Sequence, residues 1–287
     1  MITKNSRTMK KHFSIFLILF AFSTAYGQSS KNSLIHEKIS SDSIKFIQIK
    51  TDTLFDSRQT ISLMILPKKI YDHFSIQFGY SRTELKTTSQ FGKRYHSEAA
   101  VNGSFFDRDS GGSVTYFEIN DTVISRTRNP DSKWAIPDSL INGAIVLMSN
   151  DNIKIQPAES DQFYESSKQE VAVLVSGPLL LLHSERMKLP RIEKFVNDRH
   201  PRTCLCTTNE AIVFITIDGR SIQAEGMGLF EAQKFLSDIG CVDAINLDGG
   251  GSTTMWIRDK GIVNHPSDRE GERPVANVLL IMKDDID

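Results

Sequence analysis

"AINLDGGGSTTMWI", residues 244–257, decides how this chain is read. An apolar run suited to a strand stops at Asp248, passes three glycines and three hydroxyl residues, and resumes as a second apolar run. Ordering three consecutive glycines costs backbone entropy, so a chain that keeps them between two strands needs a bare backbone there. Successive glycine N–H groups also fold into a concave nest that binds anions. The segment therefore predicts a site, with Asp248 supplying a carboxylate, Gly249, Gly250 and Gly251 backbone donors, and Ser252 a hydroxyl beside them. It lacks the lysine and spacing of a Walker A loop, which argues against a nucleotide.

Working outward, other strands stop in the same manner. "AAVNGSFFD" (99–107) ends its apolar run at Asn102-Gly103, and "FITIDGR" (214–220) ends at Asp218-Gly219-Arg220. "RHPRT" (199–203) places Arg202 and Thr203 at the start of a strand. Alone, Asn-Gly and Asp-Gly are ordinary turn dipeptides. Gathered where strands stop, such residues are how a sheet presents a site at its edge. Asn246 reads equally as a strand-end turn residue and as a member of such a site.

Between these points the pattern is strand, turn, strand. "IKFIQIK" (44–50) and "TISLMILP" (60–67) read as strands, the second ending at a proline. "SVTYFEI" (113–119) and "TVISRT" (122–127) flank Asn120-Asp121 as a hairpin; "GAIVLMS" (143–149) and "IKIQP" (153–157) form another. "VAVLVSGPLLLL" (171–182) is two apolar runs broken by Gly177-Pro178, "EAIVFITIDG" (210–219) is a further strand, and "VANVLLIM" (275–282) is the last. One helix is clear: Leu229, Phe230, Ala232, Phe235, Leu236 and Ile239 recur at helical spacing, and Gly240 stops it. A shorter helix is expected within 82–98. The sum is a single β-rich α+β domain, a mixed sheet built from hairpins with a few covering helices. Residues 28–95 form a lead-in and first strands, continuous from 44 onward with the fold of 96–287.

The chain has 287 residues, 34 basic and 35 acidic, a net charge of −1, and 39% hydrophobic residues. That balance gives no basic surface for nucleic acid. Residues 1–27 carry a basic stretch and an apolar core from Phe13 to Phe22, then Ala25-Tyr26-Gly27. This predicts a cleaved signal peptide, a secreted or periplasmic product and no stable membrane span. Cys204, Cys206 and Cys241 are too few for a disulfide scaffold. The first two, on one face of a strand, read as core hydrophobes, with pairing of either to Cys241 left open. Asp107, Asp109 and Glu118 fall at positions one, three and twelve of an EF-hand-like loop, with Gly112 at six and Gly111 instead of an acid at five. A polar hairpin loop is the favoured reading; calcium is the alternative, and no cofactor is required. His200 and His265 each precede a proline without zinc-ligand spacing and read as turn histidines.

Taken together, "VNGSFF", "SGPLLL", "HPRT", "DGR", "GMGLFEAQKFLSDIGCVDAINLDGGGSTTM" and "NHPSDREGERPVANVLL" resemble the phosphodiester glycosidase family, in its order, from about Val101 to Leu280. The resemblance implies hydrolysis of a sugar-1-phosphodiester, with an N-acetylated amino sugar as the glycone. Arg202 and Arg220 then suit the phosphate, since a guanidinium grips it through two donors. Asp248 or Asp218 serves as base or nucleophile, with Glu231 as the other carboxylate. A separation of roughly 5 Å between two catalytic carboxylates would imply retention, and roughly 6.5–9.5 Å inversion. Asn102 and Asn246 orient sugar hydroxyls or the acetamido group, beside Gly103 and Thr203. Gly228 stands where the family often has a threonine, so half of a capping box is missing and Glu231 serves either the site or the helix N-terminus. Two other readings of the fold are a non-catalytic carbohydrate- or phosphate-binding module and a phosphodiesterase attacking at phosphorus.

Overall fold

The computed structural model describes residues 43–149, 152–167 and 169–284. The predicted signal peptide lies outside them. Within them the strands form three sheets in which every pairing is antiparallel, so the expected mixed sheet resolves into several antiparallel ones.

The first sheet runs in the order Lys45–Leu54, Ser57–Pro67, Ala211–Ile217, Arg202–Thr207, Asp243–Asn246, Leu179–Leu182, Glu185–Arg186. The second has Gly261–Ile262, Met255–Ile257, Ala99–Asn102, Asn277–Lys283 and Phe74–Tyr80, and the third carries the two hairpins read from sequence plus Glu170–Ser176. Segment 45–95 thus supplies strands to two of the sheets. In the turn at Asn120-Asp121 both residues have positive φ, 49° and 58°, the twist a tight hairpin requires.

One apolar core joins all three sheets. Met64, Leu205, Phe214 and Ile245 from the first meet Val101 and Leu279 from the second and Phe117, Ile145 and Leu174 from the third. The opposite face of the first sheet is covered by the Leu229–Asp238 helix, whose Leu229, Ala232, Phe235 and Leu236 are buried there. The helix expected within 82–98 is Thr88–Arg94, begun by a capping box between Thr87 and Gln90. Phe91 of this helix packs with Trp256 and Ala100 on the outer face of the second sheet. Two short helices at Asp161–Ser166 and Glu193–Asn197 had no clear periodic signal, because neither is long enough to repeat one.

The cysteines correct one expectation. Cys204 and Cys206 do share the helix-covered face, but Cys206 is bonded to Cys241 at the end of that helix, and Cys204 alone is a buried free thiol. Burial pushes the Cys204 thiol up to about 12, so it stays protonated and inert.

Candidate active site

Strand Asp243–Asn246 continues as Leu247 and Asp248 into a gap between the first and second sheets. Leu247 N–H donates to the Thr203 carbonyl at 2.8 Å, and Asp248 N–H donates to the Gly103 carbonyl at 3.0 Å. The end of one strand is thereby pinned against both sheets, which fixes where the Asp248 carboxyl lies. That carboxyl is half-buried, and desolvation pushes its pKa up to about 6. Hydrogen bonds from Ser252 Oγ and Gly249 N–H and the charges of Arg273 and Arg108 offset only part of that rise.

At Gly250 the bare backbone does not serve the predicted nest. Gly250 N–H is committed to the Pro201 carbonyl at 2.9 Å, and Gly250–Ser252 form a 3-10 turn. What the missing side chains admit is the approach of two arginines. A Cβ on Gly250, at φ 61°, would come 3.1 Å from Arg220 Nη1. A Cβ on Gly251 would land on Arg273 Nη2 and on the Asp268 carboxylate. A Cβ on Gly249 would come 2.7 Å from the Pro201 carbonyl. The glycines are thus the seat on which Arg220 and Arg273 lie, and the charge of Arg273 reaches Asp248.

Both arginines are held from behind. Arg220 has φ 58°, an uncommon backbone for a residue with a Cβ and worth roughly 1 kcal/mol of strain. Its Nη2 donates to His200 Nδ1 at 3.3 Å. Arg273 is bidentate to Asp268, at 2.8 and 2.9 Å, and its Nη1 reaches Ser252 Oγ at 3.4 Å. Asp218, 3% exposed, accepts from Asn264 Nδ2 at 3.1 Å and His265 N–H at 3.0 Å. Burial raises its pKa as well, and these bonds only partly offset it. Asp218 therefore ties the Asp218–Arg220 turn to the 264–265 segment.

Several predicted contacts are placed inside the framework instead. Arg202 is 2% exposed, and its guanidinium donates to the backbone carbonyls of Met227, Phe195 and Asp198 at 3.0, 2.6 and 3.3 Å while lying 5.0 Å from the Phe195 ring. Desolvation lowers its pKa to about 10, so it is still charged, and its donors clamp the loops that carry those carbonyls. Asn102, fully buried, accepts from Thr203 Oγ1 and Thr254 N–H and donates to the Asp248 carbonyl at 2.6 Å. Gly103 lies against Asn277, and Asn246 Nδ2 donates to the Gly177 and Leu247 carbonyls. These residues position the backbone on either side of Asp248. Glu231 accepts from Gly228 N–H at 3.0 Å and is bidentate to Arg199, so the open question over it resolves toward the helix N-terminus.

The EF-hand-like donors do not fit a calcium site. Asp107 is taken up by Ser110, the amide of Asp109, and Arg128 at 2.7 Å; burial works to raise its pKa, but these partners outweigh it and hold it well below the usual range. Asp109 meets Lys133 and Trp134, and Glu118 meets Tyr116 on a buried strand. Among the described residues no three His, Cys, Asp or Glu gather as a metal cluster.

Arg273, Asp268, His200 and Arg108 are the site residues that the sequence reading did not assign. Arg273 and Asp268 stand within "NHPSDREGERPVANVLL", where an arginine directly before the proline leading into the last strand was the available signal. The family model for phosphodiester glycosidase matches residues 95–282, a span that includes every one of these groups. The chain belongs to the phosphodiester glycosidase family.

Among phosphodiester glycosidase relatives, the N-acetylglucosamine-1-phosphodiester alpha-N-acetylglucosaminidase of Bos taurus is 28% identical over 62% of this chain and 28% of its own length. The Mus musculus protein of that name is 30% identical over 58% and 27%. A Bacillus subtilis prophage-derived uncharacterized protein, YomE, is 25% identical over 77% of this chain and 33% of its own. The chain thus spans a third or less of these relatives' lengths. In fold it is similar to the zebrafish N-acetylglucosamine-1-phosphodiester alpha-N-acetylglucosaminidase catalytic domain auto-inhibited by its pro-peptide, with TM-score 0.65, 19% identity, and 84% and 83% of the two chains covered. A hypothetical protein from Synechocystis gives TM-score 0.61 at 12% identity, covering 85% and 64%.

Proposed function

We propose that the protein hydrolyses the glycosidic bond of a sugar-1-phosphodiester, with an N-acetylated amino sugar as glycone, in an exported or extracellular glycan. The observation that carries this reading is a half-buried Asp248 carboxyl within reach of the Arg273 charge, followed directly by a bare glycine turn on which Arg220 and Arg273 are seated. A phosphodiester substrate is an anion, and guanidinium forks suit its oxygens. Its phosphate leaves readily, so the site needs no strong acid. What it needs is a carboxylate to support the oxocarbenium-like carbon and to activate water or attack. Asp248, ionised above about pH 6, fills that part; Arg220 and Arg273 hold the phosphate; Ser252 and His200 hold these groups in place.

Export fits two features. Residues 1–27 read as a signal peptide, and the Cys206–Cys241 bond is of a kind that persists in oxidising compartments. No helix among the described residues is long and apolar enough to cross a membrane.

The test is release of sugar from a synthetic N-acetylglucosamine-1-phosphodiester by the purified protein, with and without chelator, in water labelled with oxygen-18. Label in the sugar and loss of turnover in Asp248→Ala support the assignment. Label in the phosphate would mean attack at phosphorus, and ligand binding with no turnover would mean a binding module.

A further inference from the structure

Behind the loop that carries Arg108 toward Asp248 lies a cavity of about 180 Å³. It sits where the end of the Phe74–Tyr80 strand, the 107–112 turn and the third sheet meet. Two guanidiniums line it, Arg82 and Arg128, together with the hydroxyl residues Ser81, Ser113 and Ser125. The acid beside it, Asp107, is already neutralised by Arg128 at 2.7 Å. Arg82 donates only from Nη1, to the Ile124 carbonyl at 3.2 Å, and lies on the exposed rim. One positive charge with free donors is thus left over at the mouth. Ser81 anchors its own amide on the Ala276 carbonyl at 2.9 Å, and its hydroxyl is able to donate or accept.

The wall is built rather than incidental. Gly111 and Gly112 both have positive φ, 77° and 79°, and press backbone to backbone against Thr83 and Arg82. A Cβ on Gly112 would come 2.7 Å from the Arg82 carbonyl. The Gly-Gly pair therefore holds Arg82 at the rim, in register with the serines.

We propose that this cavity is an accessory binding site for a tetrahedral phosphate group, distinct from the Asp248 site. A compact anion meets the spare donors of Arg82 and the Ser81 hydroxyl there without displacing the Asp107–Arg128 pair, while Ser113 and Ser125 already donate to the Phe105 and Thr115 carbonyls and serve as wall. The site does not depend on the hydrolase reading, since none of its residues touches Asp248 or its arginines.

The test is calorimetric titration of the protein with inorganic phosphate, and separately with a hexose 6-phosphate, at about 0.15 M salt, where diffuse surface attraction is screened. Arg220→Gln removes a cation of the catalytic site, and the binding that persists in it is expected to be this one. Arg82→Gln is expected to weaken that binding at least tenfold. Ser81→Asp, which sets a carboxylate in the wall at a residue whose side chain does not support the fold, is expected to abolish it. Tighter binding of the ester assigns the site to glycan-borne phosphate, and equal binding assigns it to the free ion. Binding unchanged in both wall variants, binding lost in Arg220→Gln alone, or no binding to the wild-type protein would each overturn the proposal.

Discussion

His200 and Arg220 are joined in one direction only. The imidazole meets the Lys194 carbonyl through Nε2 at 3.2 Å and the Arg220 guanidinium through Nδ1 at 3.3 Å. A carbonyl only accepts and a guanidinium only donates, so the proton is on Nε2 and the Nδ1 lone pair faces Arg220. Desolvation lowers the His200 pKa, and the nearby Arg202 charge lowers it further, so the neutral form persists at pH 7. His200→Ala leaves Arg220 without its rear support, and kcat/KM is expected to fall about tenfold, largely through KM. His200→Gln, which keeps an acceptor, is expected to recover part of the loss. Steady-state kinetics on the two variants decides it; equal losses would mean that the ring matters only as bulk.

Asp248 sets both a pH profile and a stability trade-off. Its folded pKa of about 6 exceeds the unfolded value, so the folded state holds the proton more tightly. Ionisation therefore costs stability above pH 6, and that penalty fades as pH falls toward the unfolded value near 4. Asp248→Asn is expected to raise stability at pH 7 by about 2–3 kcal/mol while lowering kcat at least a hundredfold. In the wild type, kcat/KM should drop tenfold per pH unit below about 6. Denaturant melts at pH 4 and pH 7 check the first claim: an Asn variant equally stabilised at both would contradict it.

Gly251 tests the seat beneath the arginines. A Cβ there occupies the space of the Arg273–Asp268 pair, so Gly251→Ala must push the guanidinium away from Ser252 and Asp248. Displacements of about 1 Å near reacting groups lower rates by up to a hundredfold. The expectation is a loss of that order in kcat/KM with a melting temperature little changed. An active Gly251→Ala enzyme would remove Arg273 from the proposed role.

The place of the candidate site around Asp248 was legible in the sequence as far as backbone punctuation goes. Glycines and turn dipeptides mark where strands stop, and those places do converge on one edge. What the sequence could not show is the direction of a side chain once there. Arg202 and Arg220 read alike, yet alternation along its strand points Arg202 into the helix-covered face, where carbonyls take up its donors. Asn102 and Asn246 likewise looked like ligand contacts, but each serves backbone groups across sheets more than 60 residues away in sequence. The long-range Cys206–Cys241 pairing was open for the same reason, because it depends on where the Leu229–Asp238 helix ends over the sheet.

That bond offers its own measurement. Cys206 and Cys241 are 35 residues apart and clip the end of the helix to the strand it covers. Constraining a loop of this length in the unfolded chain is worth about 2–4 kcal/mol. A Cys206→Ala/Cys241→Ala double variant is expected to lose stability of that size in urea melts. Cys204→Ala, which removes only a small buried thiol, is expected to cost less. Equal losses in the two would show that packing, rather than the cross-link, holds this face together.

Glu231 separates framework from chemistry. Its carboxylate caps Gly228 N–H at the helix start and pairs with Arg199, which in turn reaches Glu225 and the Phe55 carbonyl. The side chains are only partly exposed, so the pair is worth more than a surface salt bridge and less than a buried one. Together with the lost cap, Glu231→Ala is expected to destabilise the fold by about 1–2 kcal/mol. Turnover per folded molecule should be unchanged, because no bond runs from Glu231 to Asp248, Arg220 or Arg273. A hundredfold fall in kcat with an intact melt would instead make Glu231 the second carboxylate of the reaction, and would move the catalytic centre toward the helix N-terminus.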